Sequence, residues 1–353
     1  MGINDCYKIC HHLIDRAYKR TKEKFYRSKC KIYIDGLSVW FLGYLDDLPN
    51  RANAHTKFNA IMSMIRKKNN FTVISTIMYF HGNPPALKDK PVSKHVSTKE
   101  LLIWCNELLR RESVNEISFL DSGEAESECF FERDEGYASI IVTNDSDILP
   151  ICYKYQPQSP DDLVFCFLTR KRIFYNTNFL TTKLNKNAFT LLLNLHGSLE
   201  LIEPLFTFTM TKLMFDILEY DVPIFSKVFQ RINFFMEELN EDNIELCIAY
   251  FIWLLVQAKI VGYGNFSWPT KESKIVTLNY IQVLEWLIMY SNQGKNVENY
   301  DKNFRVETSV RAFYYILRIC ENVFTELKNV EIENFKQLEN IVKEISVDSI
   351  IFD

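Results

Sequence analysis

The sequence predicts an α/β protein in which helices flank a mainly parallel, twisted sheet, followed by an α-helical C-terminal region. Through about the first 200 residues, short apolar segments alternate with longer segments of helical apolar spacing, which is typical of a parallel sheet. Beyond them the apolar spacing is helical. We therefore expect two domains, residues 1–200 and residues 201–353.

The elements of the first domain follow from local patterns. Helical apolar spacing predicts helices over residues 5–25, 53–68, 97–111 and 124–132, and helical structure again from about residue 184. Short apolar runs predict strands at Lys31–Asp35, Phe71–Phe80, Glu116–Leu120 and Ala138–Thr143. After a polar loop at Lys154–Asp162, a β-hairpin is predicted over Leu163–Tyr175, turning around Thr169-Arg-Lys-Arg172.

Composition narrows the class of protein. The chain has 353 residues, of which 47% are hydrophobic and 24% charged, as in soluble globular proteins. No run of 18 uncharged apolar residues exists, so we expect no membrane-spanning helix. The nine cysteines are odd in number and irregularly spaced, which indicates reduced thiols and an intracellular, cytoplasmic or nuclear protein. A zinc site at Cys6, Cys10 and His11 is an alternative to a half-buried first helix.

Charge is unevenly distributed along the chain. Residues 1–111 carry 20 Lys/Arg and 9 Asp/Glu, whereas the remainder carries 21 and 36. A basic N-terminal part is compatible with a partner that has a phosphate backbone, DNA or RNA, although an ordinary solvated surface would also explain it.

Acidic residues lie in three clusters, each at the end or the beginning of a predicted element. Asp35 ends the first strand, Glu124 and Glu126 begin a helix, and Asp145 and Asp147 follow the fourth strand. Each acid alone has a structural explanation, as a turn former or at a helix start. Ligands of parallel sheets collect at the carboxyl ends of the strands, and carboxylate oxygens suit Mg²⁺ or Mn²⁺. Together the acids predict a divalent-metal site.

The order and wording of these motifs resemble the flap-endonuclease superfamily (XPG-like, PIN-type 5′-nucleases). The resemblance covers about residues 1–200. Its motifs are Met1-Gly-Ile3, Ile32-Tyr-Ile-Asp35-Gly, Met78-Tyr-Phe-His-Gly-Asn-Pro-Pro-Ala-Leu-Lys88, Ser122-Gly-Glu-Ala-Glu126 and Thr143-Asn-Asp-Ser-Asp147.

The resemblance implies a Mg²⁺- or Mn²⁺-dependent nuclease that hydrolyses phosphodiester bonds of DNA or RNA by a two-metal mechanism. The implied metal ligands are the five acids, Asp35, Glu124, Glu126, Asp145 and Asp147. The resemblance places Lys88 on the scissile phosphate and Phe41 where an aromatic ring stacks on a base. Lys90 and Lys94 are expected to contact nucleic acid beside Lys88.

Four departures from the family pattern weaken these expectations. His81 stands where the family has an aspartate, which makes it a further candidate ligand, leaning toward Mn²⁺. A later Gly-Ser-Asp motif reads Gly197-Ser198-Leu199, with Glu200 as a possible substitute one residue on. The family has a long helical arch through which flaps are threaded, and here the corresponding segment is only Asp89–Thr98. The family's hairpin that binds duplex DNA is absent from the sequence. These features look like divergent, virus-type members.

Two further hypotheses stand beside an active nuclease. The chain would be a pseudo-nuclease if the loss of carboxylates at His81 and Leu199 abolishes catalysis, leaving a structural, assembly or nucleic-acid-binding protein. Residues 201–353 are alternatively a protein-interaction or self-assembly region, although their aromatic-rich helices are also explained as core. The sequence decides neither the substrate nor the oligomeric state.

Overall fold

The structure is a computed structural model. It describes residues 6–21, 29–44, 51–69, 71–82, 98–121, 123–134, 136–155, 163–180, 182–196, 208–219, 230–234, 236–237, 337 and 340. Most of residues 201–353 lie outside these ranges, so the predicted division into two domains stays a prediction. Within the described part of the C-terminal region, residues 208–219 and 230–234 are helical.

A six-stranded sheet forms the centre of the described part. Its strands are β1 (Lys29–Asp35), β2 (Thr72–Phe80), β3 (Glu116–Phe119), β4 (Ala138–Thr143), β5 (Val164–Leu168) and β6 (Ile173–Asn176). The strand order is β3-β2-β1-β4-β5-β6, and every neighbouring pair is parallel except the antiparallel β5–β6 hairpin. The predicted mainly parallel sheet and the predicted hairpin are therefore confirmed.

Helices precede, connect and follow the strands. They are α1 (Cys6–Thr21), α2 (Gly36–Trp40), α3 (Arg51–Asn69), α4 (Thr98–Arg110), α5 (Ala125–Phe131), α6 (Ile148–Lys154), α7 (Lys186–Leu195) and α8 (Phe208–Glu219). Within the described ranges, 3₁₀ turns lie at Phe41–Tyr44 and Thr177–Phe179. None of the helices within the described ranges is both long enough and apolar enough to cross a bilayer.

The central strands are apolar because both of their faces are covered. Every residue of β4 is buried, and residues 32–35 of β1 are buried as well. Between the helices of one face, Trp40 and Trp104 pack with ring centroids 5.2 Å apart and join α2 to α4. Buried aromatic and aliphatic contacts of this kind stabilise the sheet mainly through the hydrophobic effect.

The predicted elements agree with the structure to within a few residues, with two short helices as exceptions. The five residues of α2 and the seven of α6 are too short to show helical periodicity. The loop predicted from Lys154 is corrected at its start, because Lys154 is the last residue of α6. The rest of that loop, residues 156–162, lies outside the described residues.

The strand order creates a crevice at one edge of the sheet. From β1 the chain proceeds outward through β2 and β3, then returns to place β4 on the other side of β1. The connections leaving β1 and β4 therefore diverge. Open α/β sheets bind ligands at such a switch point, outside the carboxyl ends of the strands. Asp35 ends β1 at this point, and Asp145 follows β4.

Candidate metal centre at the carboxyl edge of the sheet

Asp35 is fixed by its place between β1 and α2. It is the N-cap of α2, and its side chain accepts a hydrogen bond from the Ser38 backbone N–H at 3.2 Å. The Ser38 hydroxyl donates a second bond to Asp35 Oδ2. Only 2% of Asp35 is exposed, so a carboxylate that caps a helix is also held rigidly inside the protein.

A hydroxyl pair joins β1 to β4 beneath the carboxylates. Thr143 Oγ1 donates to Asp35 Oδ2 at 3.1 Å and accepts from the Asp145 backbone N–H at 3.0 Å. Ser38 Oγ accepts from the Asn144 backbone N–H at 2.8 Å. One buried threonine therefore positions both the acid that ends β1 and the turn that follows β4.

The paired aspartates form a tight turn after β4. The Asp147 backbone N–H donates to Asp145 Oδ1 at 3.0 Å, a side-chain-to-backbone bond typical of aspartate in turns. The Cys6 thiol on α1 donates to the Ser146 carbonyl at 3.5 Å. Both aspartates are half-buried. Helix α1 and strand β4 together hold this turn at the sheet edge.

The paired glutamates stand at the beginning of α5. Glu124 occupies the N-cap position without capping the helix through its side chain, and Glu126 lies in the first turn. Both are buried, with 8% and 2% exposed. Glu126 Oε2 is buried and accepts no hydrogen bond from any residue that the structure describes. A buried carboxylate oxygen without such a bond is costly unless a cation reaches it.

His81 follows β2 and lies between two of the acids. Its Nε2 is 3.4 Å from Asp35 Oδ1 and 3.7 Å from Glu126 Oε2. On the other side of the ring, Nδ1 accepts a long bond of 3.4 Å from the Ala125 backbone N–H. Nε2 is therefore the ring nitrogen that faces the two carboxylates.

The charges in this crevice shift the two buried carboxyl pKa values in opposite directions. Burial acts to raise the pKa of Asp35, but the hydrogen bond and charge of His81 and the two bonds from Ser38 lower it on balance. Burial raises the pKa of Glu126; His81 opposes this, while the negative charges of Asp145 and Asp35 add to it. Of these two acids, Glu126 is the one whose surroundings favour the anion less.

These residues fit a divalent cation. Ligand atoms of Asp35, His81 and Glu126 all lie within 4.8 Å of one another. Two carboxylates and an imidazole form a donor set that Mn²⁺ and related divalent ions accept. Asp145 is close enough for its charge to act on Glu126. Of the six expected ligands, the structure therefore groups Asp35, His81 and Glu126 most tightly, with the turn of Asp145 and Asp147 beside them.

Other predicted site residues have different fates. Lys88, Lys90 and Lys94 lie outside the described residues, as do the arch segment and the Gly197-Ser198-Leu199 motif with Glu200. Phe41 begins the 3₁₀ turn after α2 and is half-buried against the hydrophobic core. Its predicted role in base stacking stays a prediction.

The zinc alternative on α1 is wrong. Cys6 and Cys10 are buried and 3.9 Å apart, whereas His11 is exposed and lies 3.0 Å from the Tyr175 hydroxyl. The hydrogen bond with Cys10, then burial, then the charges of Cys10, Asp147 and Asp145 raise the pKa of Cys6 well above its usual value. Each of the seven described cysteines is buried and forms no disulfide.

Sequence reasoning missed the two hydroxyls that organise the site. Ser38 lies three residues after Asp35, the spacing at which a helix residue bonds back to its N-cap. This signal was readable once α2 was known to exist. The position of Thr143 beside Asp35 depends on the pairing of β1 with β4, which no local pattern specifies.

No protein-family model matches the chain, and no curated protein matches it. Several solved structures are similar to it, among them the following three. The catalytic core of Rad2 in complex with DNA substrate has a TM-score of 0.43 at 12% identity, covering 98% of this chain and 100% of that chain. The Holliday junction-resolving enzyme GEN1, in complex with product DNA and a Mg²⁺ ion, has a TM-score of 0.41 at 10% identity, covering 98% and 77%.

A mutant of T5 5′-exonuclease has a TM-score of 0.36 at 12% identity, covering 91% of this chain and 99% of that chain. Because all three TM-scores are below 0.5, we draw no conclusion about this chain from these matches.

Proposed function

We propose that this protein is a divalent-metal-dependent nuclease of the flap-endonuclease type, which hydrolyses phosphodiester bonds of DNA or RNA. The observation that carries the proposal is the group of Asp35, His81 and Glu126 at the switch point of the sheet, with ligand atoms within 4.8 Å of one another. Glu126 Oε2 is buried and accepts no hydrogen bond from a described residue, which supports a cation at this place.

In this proposal the side chains of the site have three roles: they bind metal, position the metal ligands and contact the phosphate. Asp35, Glu126 and Asp145 would hold Mg²⁺ or Mn²⁺, with Glu124 and Asp147 beside them and His81 as a nitrogen ligand. When bound, such ions supply a more acidic water and offset charge on the scissile phosphate. Ser38 and Thr143 keep Asp35 and Asp145 in place before substrate arrives, which lowers the reorganisation that the reaction requires. Lys88 is proposed to contact the phosphate.

A nucleic acid is the substrate that this site suits best. The five motif acids stand in the order that resembles nucleases, and the basic charge of residues 1–111 suits a polyanion. We also propose that the reaction uses two metal ions. We keep protein binding or self-assembly through residues 201–353 as a separate expectation.

A pseudo-nuclease is the second candidate, and His81 favours it. Its Nε2 faces two carboxylates at 3.4 and 3.7 Å. There it reduces the negative charge that would draw in a cation. If His81 satisfies the acids permanently, the fold would serve binding without catalysis.

The test is cleavage of labelled single-stranded RNA, single-stranded DNA and 5′-flap DNA, each with Mg²⁺ and with Mn²⁺. The wild type is compared with Asp145→Asn/Asp147→Asn and, as a matched control, with Asp121→Asn, an exposed aspartate before α5. Cleavage that the site variant abolishes and the control retains supports the proposal and identifies the substrate. A folded wild type that cleaves none of these substrates would favour the pseudo-nuclease.

A further inference from the structure

The turn between β5 and β6 presents three consecutive basic side chains. Leu168 pairs with Ile173, which leaves residues 169–172 as the turn. Arg170, Lys171 and Arg172 are all exposed. We call these three residues the basic turn.

The basic turn lies at the same edge of the sheet as the metal centre. Strand β5 runs parallel to β4, with Leu168 beside Thr143. The Thr169 backbone N–H donates to the Thr143 carbonyl at 2.9 Å, and the Thr143 hydroxyl bonds to both Asp35 and Asp145. Adjacent strands are about 4.8 Å apart. The basic turn thus begins one strand away from the acids.

Within the described part of the protein, no carboxylate neutralises the charges of the basic turn. No carboxylate within the described ranges forms an ion pair with any of the three residues. Lys171 Nζ lies 5.1 Å above the ring of Tyr7 on α1. That ring stacks on His11, whose Nδ1 lies 3.0 Å from the Tyr175 hydroxyl on β6. The contact orients the ammonium without neutralising it.

The backbone of Arg172 adds an independent observation. Its φ is +54°, in the left-handed region that glycine and asparagine adopt most readily. An arginine is conformationally unfavourable there. The turn therefore keeps a third basic side chain at a position where glycine would be conformationally easier.

We propose that the basic turn binds the phosphate backbone of the nucleic-acid strand that enters the metal centre. Arginine and lysine are the side chains that proteins use for phosphates, and such contacts orient a strand without reading its sequence. An anionic partner at this edge must also avoid repulsion from the acids. The three positive charges of the basic turn offset that repulsion where the strand contacts them, with or without a cation at the acids. That the partner is a nucleic acid rests on the proposed function.

The test measures binding without catalysis. Fluorescein-labelled single-stranded DNA and RNA are titrated with protein in EDTA at several salt concentrations, using Arg170→Ala/Lys171→Ala. The control is Arg110→Ala/Arg111→Ala, which removes the same charge from two exposed arginines at the end of α4, before the amino end of β3. We expect the turn variant to bind about tenfold more weakly. Its slope of log K against log salt should fall by roughly 0.7–0.9 for each phosphate that the variant no longer neutralises.

The outcomes separate this inference from the nuclease proposal. Weaker binding by the turn variant alone supports the basic turn, whether or not the wild type cleaves nucleic acid with Mn²⁺. Equal affinities of the turn and control variants would overturn it, as would a wild type that binds neither strand. Binding to phosphatidylserine vesicles that the turn variant loses, with nucleic-acid binding unchanged, would assign the surface to a membrane and also overturn it.

Discussion

Thr143 Oγ1 donates a hydrogen bond to Asp35 Oδ2 over 3.1 Å, and this bond ties β4 to the acid that ends β1. The same hydroxyl accepts from the Asp145 backbone N–H. One fully buried side chain therefore sets the separation of two expected metal ligands. Groups that orient ligands in this way control metal affinity nearly as strongly as the ligands themselves.

Replacing this hydroxyl tests its role. Thr143→Val should weaken Mn²⁺ binding by about 10- to 100-fold and lower the free energy of unfolding by about 1–2 kcal/mol, since two buried polar groups lose a partner. Thr143→Ser keeps the hydroxyl and should retain most of the metal affinity. Calorimetric titration and urea unfolding measure the two effects. Equal Mn²⁺ affinities for the Val and Ser variants would show that the hydroxyl does not position the ligands.

Gly36 gives a test of packing directly behind Asp35. A Cβ at this position would lie 2.5 Å from Cε1 and Cζ of Phe80, at the end of β2. Gly36→Ala should therefore destabilise the fold by about 1–3 kcal/mol through overpacking. Adding Phe80→Leu makes room, so the double variant should lose less stability than the sum of the single changes. Strictly additive losses in urea unfolding would contradict this contact.

Glu126 predicts a stability effect that depends on pH. Because burial raises its folded-state pKa, unfolding lets the carboxyl ionise more readily, and stability is lost as pH rises from the unfolded-state pKa through the folded-state pKa. Glu126→Gln removes this loss. In EDTA the variant should melt several degrees above the wild type at pH 7.5, with little difference at pH 4. Glu132→Gln, an exposed site at the end of the same helix, is the control. A lower melting temperature for Glu126→Gln at pH 7.5 would contradict the prediction.

His81 predicts the metal preference of the centre. An imidazole ligand suits Mn²⁺ better than Mg²⁺, which favours oxygen. The wild type should therefore bind Mn²⁺ more tightly than Mg²⁺, and His81→Asp should narrow the difference by strengthening Mg²⁺ binding severalfold. His81→Gln removes the imidazole without adding a carboxylate and serves as the control. If the Asp variant binds Mg²⁺ no better than the Gln variant, His81 does not occupy a ligand position.

Much of the fold was predictable because many of its helices are long and its central strands are mostly apolar. The strand Ala138–Thr143 is buried at every residue and reads as a continuous apolar run. Helix α4 buries residues 101, 104, 105 and 108, which have helical spacing, so its bounds were nearly right. In contrast, α2 has five residues, and the cap that defines it is a bond between Asp35 and Ser38.

The candidate site was predictable to the extent that its acids lie next to strand ends. Asp35 and Glu126 come together because β1 and α5 meet at the switch point, as parallel topology dictates. The direction of their pKa shifts was not predictable, because it depends on burial and on the position of His81 between them. Nor did the turn sequence around Lys171 reveal that it adjoins Thr143, since that follows from β4–β5 pairing.

The most direct test of the central claim is a titration of the protein with Mn²⁺, followed by electron paramagnetic resonance of the free ion. The wild type should bind Mn²⁺ saturably, and Asp35→Asn/Glu126→Gln should lose that binding while remaining folded by circular dichroism. No saturable binding by the wild type, or equal binding by the double variant, would contradict a divalent-metal centre at the carboxyl edge of this sheet.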